Sequence, residues 1–371
     1  MPLYLTDDQA MLRDTARELM ASEGSIANQL RKYRDSGCRD GFGHALWKQM
    51  AELGFTGILI GEADGGLGLG HVEAGIVLEE IGRNLTPSPF LISAVAVVEA
   101  LRGTPHAQRW FPGILSGDTV AALAVDEGPK HRPEAIAMRA ERAGNGFRLS
   151  GRKQFVVQGA SADVIVVAAR TDEGVTLFAV EKEAKGLGVE GVRLVDSSIG
   201  ARLDFEGVEV NADAVIGEVG GGEAVLGRVL NAGRAGAASE MVGLGSAAMG
   251  MTVDYLKQRK QFGRLIGEFQ VLQHRAAHLY SELEIARSAA LKAQQLLDEG
   301  SPEAEAMVSV AKAKAGRAST LAVQEGVQMH GGIGMTDEYD IGLYMKRDRV
   351  LNELFGDPNY HADKLARMKG Y

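Results

Sequence analysis

Residues 258–264 read QRKQFGR, a short basic run in a chain whose formal net charge is −9. Arg259, Lys260 and Arg264 flank Phe262 and Gly263 at the predicted end of a helix. Guanidinium groups can bind phosphate through paired hydrogen bonds, and glycine lets the backbone approach a ligand closely. The run therefore predicts a local anion site, with a pyrophosphate as the natural ligand. On spacing alone, a solvated basic face beside a helix end is the alternative.

The composition is typical of a globular protein with two or three domains. The chain has 371 residues, of which 45% are apolar and 24% charged, and these values exclude a disordered or fibrous chain. The pI near 5.5 argues against a broad positive field, which nucleic acids and membrane surfaces require of a protein. We therefore expect neither nucleic acid nor a membrane as a partner.

The cysteine count bears on metal sites and on the cellular compartment. Cys38 is the only cysteine, which excludes a disulfide framework and a thiolate-rich metal site. The imidazoles of HRAAH (274–278) lack the Glu of a zincin motif, so we interpret them as surface groups and expect no metal. Acidic residues occur by Asp7, unlike in signal or transit peptides, and no run approaches the ~18 apolar residues of a membrane span. A cytoplasmic location is expected.

The order of elements predicts an α+β fold in three domains. Residues 1–117 are predicted to be helical, starting with a capping box at Thr6 and Gln9. Residues 118–222 carry short β-branched stretches and a predicted hairpin with Asn145 and Gly146 at its turn. Residues 223–371 are predicted to be helical again. Such segregation of helices from strands differs from an alternating doubly wound sheet.

Two further predictions concern single helices. Ser301 followed by Pro302 is typical of a helix start, and that helix should continue to His330, where GGIG ends it. Between Arg234 and Asp254 the only charged side chain is Glu240, on a helix of small apolar residues. A buried carboxylate there could serve as a general base. The alternatives are a polar stripe facing solvent and a structural ion pair.

Three segments carry a resemblance to acyl-CoA dehydrogenases that extends over nearly the whole chain. LGFTGILIGEADGGLGLGHVEAGIVLEEIGR (53–83) is similar to the family's N-terminal helical signature. YLKQRKQFGRLIGEFQ (255–270) resembles its flavin-pyrophosphate motif, and QMHGGIGMTDEYDIGLYMKRD (328–348) resembles its C-terminal glycine motif. The resemblance implies an N-terminal helical domain, a middle β-barrel-like domain and a C-terminal four-helix bundle, in agreement with the three predicted domains.

The resemblance also implies FAD as cofactor, at an interface between subunits. Arg259 would contact the pyrophosphate of a neighbouring subunit's FAD. Phe155 would cover the flavin ring within the chain, and Val157 occupies a flavin-contact position. The remaining positions of the flavin motifs, which would support Arg259, are Phe262, Gln270, Gln328, Gly331 and Gly332.

The activity implied is α,β-desaturation of an acyl-CoA substrate, with a carboxylate that removes the α-proton and an electron-transfer flavoprotein as electron acceptor. Both usual positions of that carboxylate lack one, since they hold Phe355 and Gly233. Glu240 lies seven residues beyond Gly233, about 10 Å along a helix, and is the leading candidate base. Glu353 is a weaker one. Arg234 matches the Arg that starts the family's long helix and is expected to bind substrate, near CoA or in a helix-start polar network.

Several flavin contacts within the chain are altered. Val157 offers no hydroxyl, Asp126 stands where a Thr is usual, and Asp357 and Asn359 replace a Thr and a Gln. Contacts made to a neighbouring subunit's flavin are kept. In this respect the chain resembles the small subunits of heteromeric acyl-CoA dehydrogenases of the pimeloyl-CoA and steroid side-chain kinds, which implies dicarboxylic or bulky steroid-derived acyl groups.

Three hypotheses follow for the chain, as one subunit of a homo- or hetero-tetramer. In the first, the chain is active and Glu240 is the base. In the second, it is a structural, FAD-binding subunit without a base that contributes Arg259 to a partner's flavin. The third is a flavin oxidase or monooxygenase on the same scaffold.

Overall fold

The computed structural model describes residues 3–371, and the first part of these is helical. Its helices are α1 (Asp7–Ser22), α2 (Lys32–Asp35), α3 (His44–Glu52), α4 (His71–Asn84), α5 (Val98–Leu101) and α6 (Pro105–Leu115), with π-helical segments at Ala27–Arg31 and Phe90–Val97. The predicted capping box is confirmed. The N–H of Gln9 donates to Thr6 Oγ1 at 3.2 Å, and the N–H of Thr6 donates to Gln9 Oε1 at 3.0 Å.

The middle of the chain forms one eight-stranded sheet. Its strands are β1 (Ala121–Ala124), β2 (Arg139–Ala143), β3 (Gly146–Val157), β4 (Val164–Arg170), β5 (Val175–Glu181), β6 (Leu187–Arg193), β7 (Ile199–Asn211) and β8 (Val215–Ile216). Seven strands lie in the order β6, β7, β3, β2, β4, β5, β8, and β1 pairs in parallel with β4. The apolar faces of these strands enclose a core that includes Phe147, Phe178 and Leu203.

The predicted hairpin is present, but its turn lies one residue earlier than predicted. β2 and β3 are antiparallel with Ala143 opposite Gly146, so the two turn residues are Gly144 and Asn145. Gly144 has φ +55°, which glycine adopts at low cost. Gly146 serves another purpose: a Cβ there would lie 1.9 Å from the carbonyl oxygen of Val210, so only glycine permits this strand approach.

The last part of the chain is helical, as predicted. It contains α7 (Gly222–Gln258), the two-residue strands β9 (Lys260–Gln261) and β10 (Arg264–Leu265), and the helices α8 (Gln270–Asp298), α9 (Ala304–His330), α10 (Ile341–Glu353) and α11 (Pro358–Met368). α9 ends at His330 as predicted, and the next residue, Gly331, has φ +63°. The start of α9, at Ala304, is two residues later than Pro302. Residues 302–303 instead form a turn, in which Ser301 Oγ accepts the N–H of Glu303 at 3.2 Å.

Packing groups the chain into two compact units. The first contains the described residues up to Leu30, His71–Thr86 and Arg234–Tyr371, and the second contains Arg31–Gly70 and Pro87–Gly233. The first unit has a core of small and branched residues from α7, α8, α9 and α10. The three-domain division of the sequence stays a prediction. Over residues 3–371, no helix combines the length and apolar character that crossing a bilayer requires.

Candidate functional site

The basic run at residues 258–264, here called the basic loop, is a tight hairpin at the end of α7. Gln261 pairs with Arg264 and Lys260 with Leu265. The two residues between them, Phe262 and Gly263, have φ +53° and +80°, the left-handed geometry of a type I′ turn. The hairpin places the Phe262 ring in solvent, where it is 91% exposed. The ring is therefore open to contact with a ligand or another chain.

The charges of the basic loop are available to a ligand. Within residues 3–371, neither Arg259 nor Lys260 has a side-chain contact with an acidic group. Arg264 lies over the ring of Phe269, 3.9 Å from its centroid. α8 begins directly after this ring, at Gln270, with no side-chain cap and no acidic residue in its first turn. The partial positive charge of a helix start therefore adds to that of the basic loop.

The second element is the pair Gly331 and Gly332, here called the glycine turn. Both residues are exposed, and a Cβ at either position would meet nothing within 4 Å, so the backbone is open to an approaching ligand. Gln328, one turn earlier on α9, is also exposed. The helix ends that lead into these two elements are in contact, because the rings of His330 and Tyr255 lie with centroids 4.5 Å apart at a tilt of 32°.

The donor set of these two elements fits a dinucleotide diphosphate. Arg259 supplies a guanidinium fork, Gln270 and Gln328 supply amides, and the glycine turn supplies open backbone. The sequence predicted each of these residues. The side chains of Arg259, Gln270 and Gln328 are exposed, so they are open to a ligand.

The β-domain residues predicted to contact flavin lie in the second unit. Phe155 has φ +53° at a bulge in β3 and is half-buried, and Val157 is 8% exposed. Asp126 lies beside this strand, since its carbonyl accepts the N–H of Gln154 at 2.7 Å. The structure leaves the predicted flavin roles of Phe155 and Val157 as predictions.

The Asp126 carboxylate is engaged within the chain. His131 Nδ1 donates to it at 2.9 Å, and the backbone N–H of Arg132 donates at 3.3 Å. The side chain of His131 is 2% exposed. Sequence reasoning missed His131, and its only signal was a histidine five residues after an unexpected aspartate. At this position, where the resemblance implies a hydroxyl, the chain therefore has a partly buried carboxylate paired with a buried imidazole.

Phe355, at the usual position of the base, lies in a turn between α10 and α11. Its side chain is 5% exposed and its φ is +62°, while Gly356 has φ +105°. Arg234 is 1% exposed, and its Nε donates to the carbonyl of Phe355 at 3.1 Å while Nη2 donates to Tyr360 Oη at 3.2 Å.

The expected position of Arg234 at a helix start is wrong, because α7 begins at Gly222 and extends twelve residues before reaching it. The guanidinium holds the backbone of the Phe355 turn. This geometry supports a positioning role more than a direct contact with CoA, and the substrate-binding assignment stays a prediction.

Lys312 holds the same turn and was missed by the sequence reasoning. Its Nζ is fully buried and donates to the carbonyls of Leu351 at 2.9 Å and Gly356 at 3.0 Å, with Asn352 at 3.4 Å. Burial, helped by the nearby Arg234 charge, lowers the pKa of Lys312 to about 7. The available signal was a lysine among alanines and valines at core spacing in α9.

Glu240 is buried, as the sequence predicts, and is 2% exposed. Arg347 on α10 donates to its Oε1 from both Nε, at 2.8 Å, and Nη2, at 2.6 Å. This is the structural ion pair that the sequence left as an alternative. Glu353 contacts Arg349 one turn away at 2.9 Å. The catalytic assignment of Glu240 remains a prediction that the geometry does not favour.

Comparison with known proteins gives the family. Sequence models of the N-terminal, middle and C-terminal domains of acyl-CoA dehydrogenases match residues 6–118, 126–208 and 220–369. The mitochondrial isovaleryl-CoA dehydrogenase of Solanum tuberosum is 33% identical over 327 residues, 83% of this chain and 78% of that protein. The cyclohex-1-ene-1-carbonyl-CoA dehydrogenase of Geobacter metallireducens is 30% identical over 382 residues, 98% and 97% of the two chains.

A solved structure agrees with these relatives. The Tcur3481–Tcur3483 steroid ACAD superposes with a TM-score of 0.90 at 28% identity, and the match covers 98% of each chain. The chain belongs to the acyl-CoA dehydrogenase family. The α+β fold and the resemblance predicted from the sequence are confirmed. Members of this family are oxidoreductases that act on the CH–CH bond of acyl-CoA with FAD as cofactor.

Proposed function

We propose that the chain is one subunit of a tetrameric FAD-dependent acyl-CoA dehydrogenase whose active sites are shared with a second, different subunit. In this proposal the chain contributes the basic loop and the glycine turn to the partner's flavin site and contributes no catalytic base. One contrast carries the proposal: among the described residues, 3–371, the side chains of Arg259 and Lys260 are exposed without acidic partners, while the carboxylate of Glu240, the leading candidate base, is held in a buried ion pair.

Three residues, Phe355, Gly233 and Glu240, determine whether the chain can supply a catalytic base. Removal of an α-proton from a thioester needs a free carboxylate in a dry pocket, and hydrogen bonds to the thioester oxygen that lower the barrier. Neither Phe355 nor Gly233 can accept a proton. Glu240 could do so only after leaving Arg347, and opening a buried ion pair costs about 3–5 kcal/mol.

The exposed hydrogen-bond donors of the first unit support the proposed binding of FAD. FAD supplies the acceptor for the β-hydride when it is bound. Arg259 and the start of α8 would neutralise its diphosphate, and the open backbone of the glycine turn would let it approach. Exposed apolar groups surround these donors, with Phe262 at 91% and Met335 at 79% exposure, which supports coverage by another subunit.

The substrate in this proposal is a bulky steroid-derived or dicarboxylic acyl-CoA. The similarity to a structure named as a steroid ACAD and to a dehydrogenase of an alicyclic acyl-CoA supports a bulky acyl group. The proposed electron acceptor is an electron-transfer flavoprotein, as the family resemblance implies. A reducing cytoplasm is the proposed compartment, because the sequence contains a single cysteine.

A second candidate function keeps the chain active on its own, with Glu240 as base. The observation in its favour is the burial of this carboxylate on α7 with 2% exposure. It requires that substrate binding separate Glu240 from Arg347.

Absorption spectroscopy tests the two candidates directly. The chain is purified alone and, in parallel, after coexpression with a candidate second subunit, and acyl-CoA is added without oxygen. We expect a colourless protein alone and a yellow complex that bleaches. A chain that is yellow and bleaches alone would overturn the proposal in favour of the Glu240 candidate. Oxygen consumption in proportion to substrate would instead identify an oxidase or monooxygenase.

A further inference from the structure

Three rings join the ends of α7 and α9. Tyr255 lies one helical turn before Arg259, His330 is the last residue of α9, and Tyr339 lies beyond the glycine turn. Ring centroids are 4.5 Å apart for Tyr255 and His330, 4.7 Å for His330 and Tyr339, and 6.4 Å for Tyr255 and Tyr339. Each ring therefore contacts the other two. We call these three residues the aromatic cluster.

Two hydrogen bonds fix the orientation of the His330 ring. Nδ1 donates to the carbonyl of Gly326 at 2.7 Å, so the other nitrogen, Nε2, accepts from the Tyr339 hydroxyl at 3.0 Å. The side chain is 3% exposed. Burial lowers the pKa of His330, although the Gly326 carbonyl opposes this effect, and the ring is therefore neutral in the tautomer just described.

The backbone ties both elements of the diphosphate surface to this cluster. On the α7 side, the N–H of Arg259 donates to the carbonyl of Tyr255 at 2.9 Å, and the carbonyl of Arg259 accepts from Ile266 at 2.9 Å. On the α9 side, the glycine turn follows His330 directly, and a Cβ on Gly334 would lie 3.0 Å from His330 Cβ. The ring contact between His330 and Tyr255 thus connects the chain segments that lead into the glycine turn and the basic loop.

We propose that His330 is a positioning residue for the diphosphate of FAD, because the aromatic cluster holds the basic loop and the glycine turn at one fixed separation. The inference rests on the proposed function of that surface. His330 itself is buried and makes no contact with the ligand. It acts through Arg259 and through the backbone of the glycine turn, which must reach the same diphosphate.

Without the His330 ring, the basic loop and the glycine turn are no longer held in place before the ligand binds. Part of the binding free energy is then used to order them, so affinity falls. For His330→Leu we expect affinity for a diphosphate nucleotide to fall about tenfold. Tyr339→Phe keeps the three rings and removes one hydroxyl, and we expect a fall of about threefold. His330→Asn keeps a donor near the Gly326 carbonyl and should recover part of the loss.

The test measures the binding of ADP to the full chain. Binding is monitored through changes in amide chemical shifts at low salt. FAD content of the complex with its second subunit gives a second readout. The control is Ser319→Ala on α9, whose hydroxyl donates to buried Asp348 at 2.5 Å. This change should lower thermal stability without altering ADP affinity, whereas His330→Leu should lower both.

The outcomes separate this inference from the proposed function. If Arg259→Ala weakens ADP binding but His330→Leu weakens it no more than Ser319→Ala, the inference is overturned and the proposed surface stands. If Arg259→Ala has no effect, the surface itself is wrong. If His330→Leu does not fold, Tyr339→Phe decides, and an unchanged affinity for that variant overturns the inference.

Discussion

Arg347 on α10 holds the buried carboxylate of Glu240 on α7, because its Nε and Nη2 both donate to Oε1. The Glu240 side chain is 2% exposed and that of Arg347 20% exposed. The pair thus lies inside the first unit, where it fastens one helix to another. A carboxylate engaged in this way stabilises packing, and it becomes a proton acceptor only when the ion pair opens.

Glu240→Gln should therefore destabilise the protein more than it affects chemistry. We expect the free energy of unfolding to fall by about 2–3 kcal/mol, below the 3–5 kcal/mol of a fully buried pair because Arg347 is partly exposed. Urea denaturation measures this change. The double variant Glu240→Met with Arg347→Met should lose less than the two single changes together. Abolished bleaching of the flavoprotein complex with nearly unchanged stability would instead establish Glu240 as the base.

The burial of Glu240 can be predicted from the sequence, but its ion-pair partner cannot. Its burial followed from the small apolar residues around it, but Arg347 lies 107 positions away and no local pattern identifies it as the partner. Lys312 was missed for a related reason, since its acceptors are backbone carbonyls. Local signals were sufficient for the capping box of α1, and for the end of α9 at His330.

Arg259→Ala should reduce retention of FAD by the complex. A charge-assisted hydrogen bond contributes about 1.5–3 kcal/mol, so the dissociation constant should rise about tenfold or more. Arg259→Lys keeps the charge without the planar fork and should give an intermediate value. The matched control is Arg367→Ala, which removes an exposed arginine from α11. Flavin content that is the same in all three variants would contradict the assigned role of Arg259.

Two glycines allow α4 and α7 to approach each other closely. A Cβ on Gly82 would lie 2.0 Å from the Glu240 carbonyl oxygen, and one on Gly243 would lie 1.8 Å from that of Glu79. Gly82→Ala or Gly243→Ala should therefore cost about 3 kcal/mol of unfolding free energy, since the helices must separate. Gly250→Ala on α7, where nothing lies within 4 Å, should instead stabilise the protein by about 0.5–1 kcal/mol. Thermal denaturation of the three variants checks the ordering, and equal effects would contradict it.

Lys312 should make stability depend on pH above neutrality. Burial lowers its pKa to about 7 from an ordinary value of 10.5, so between these two values the unfolded chain binds more protons than the folded one. Stability from this group is therefore highest above the ordinary pKa and is lost progressively as pH falls toward 7.

Lys312→Met removes this dependence along with the hydrogen bonds to the Phe355 turn. We expect it to destabilise the protein by a larger amount at pH 10 than at pH 7, with a difference of about a few kcal/mol. Urea denaturation of both proteins at a series of pH values gives that difference. Lys314→Met is the control, since Lys314 is on the same helix but is partly exposed and paired with Glu282. A destabilisation by Lys312→Met that is constant across this pH range would show that the ammonium stays charged throughout, held by the carbonyls of Leu351 and Gly356.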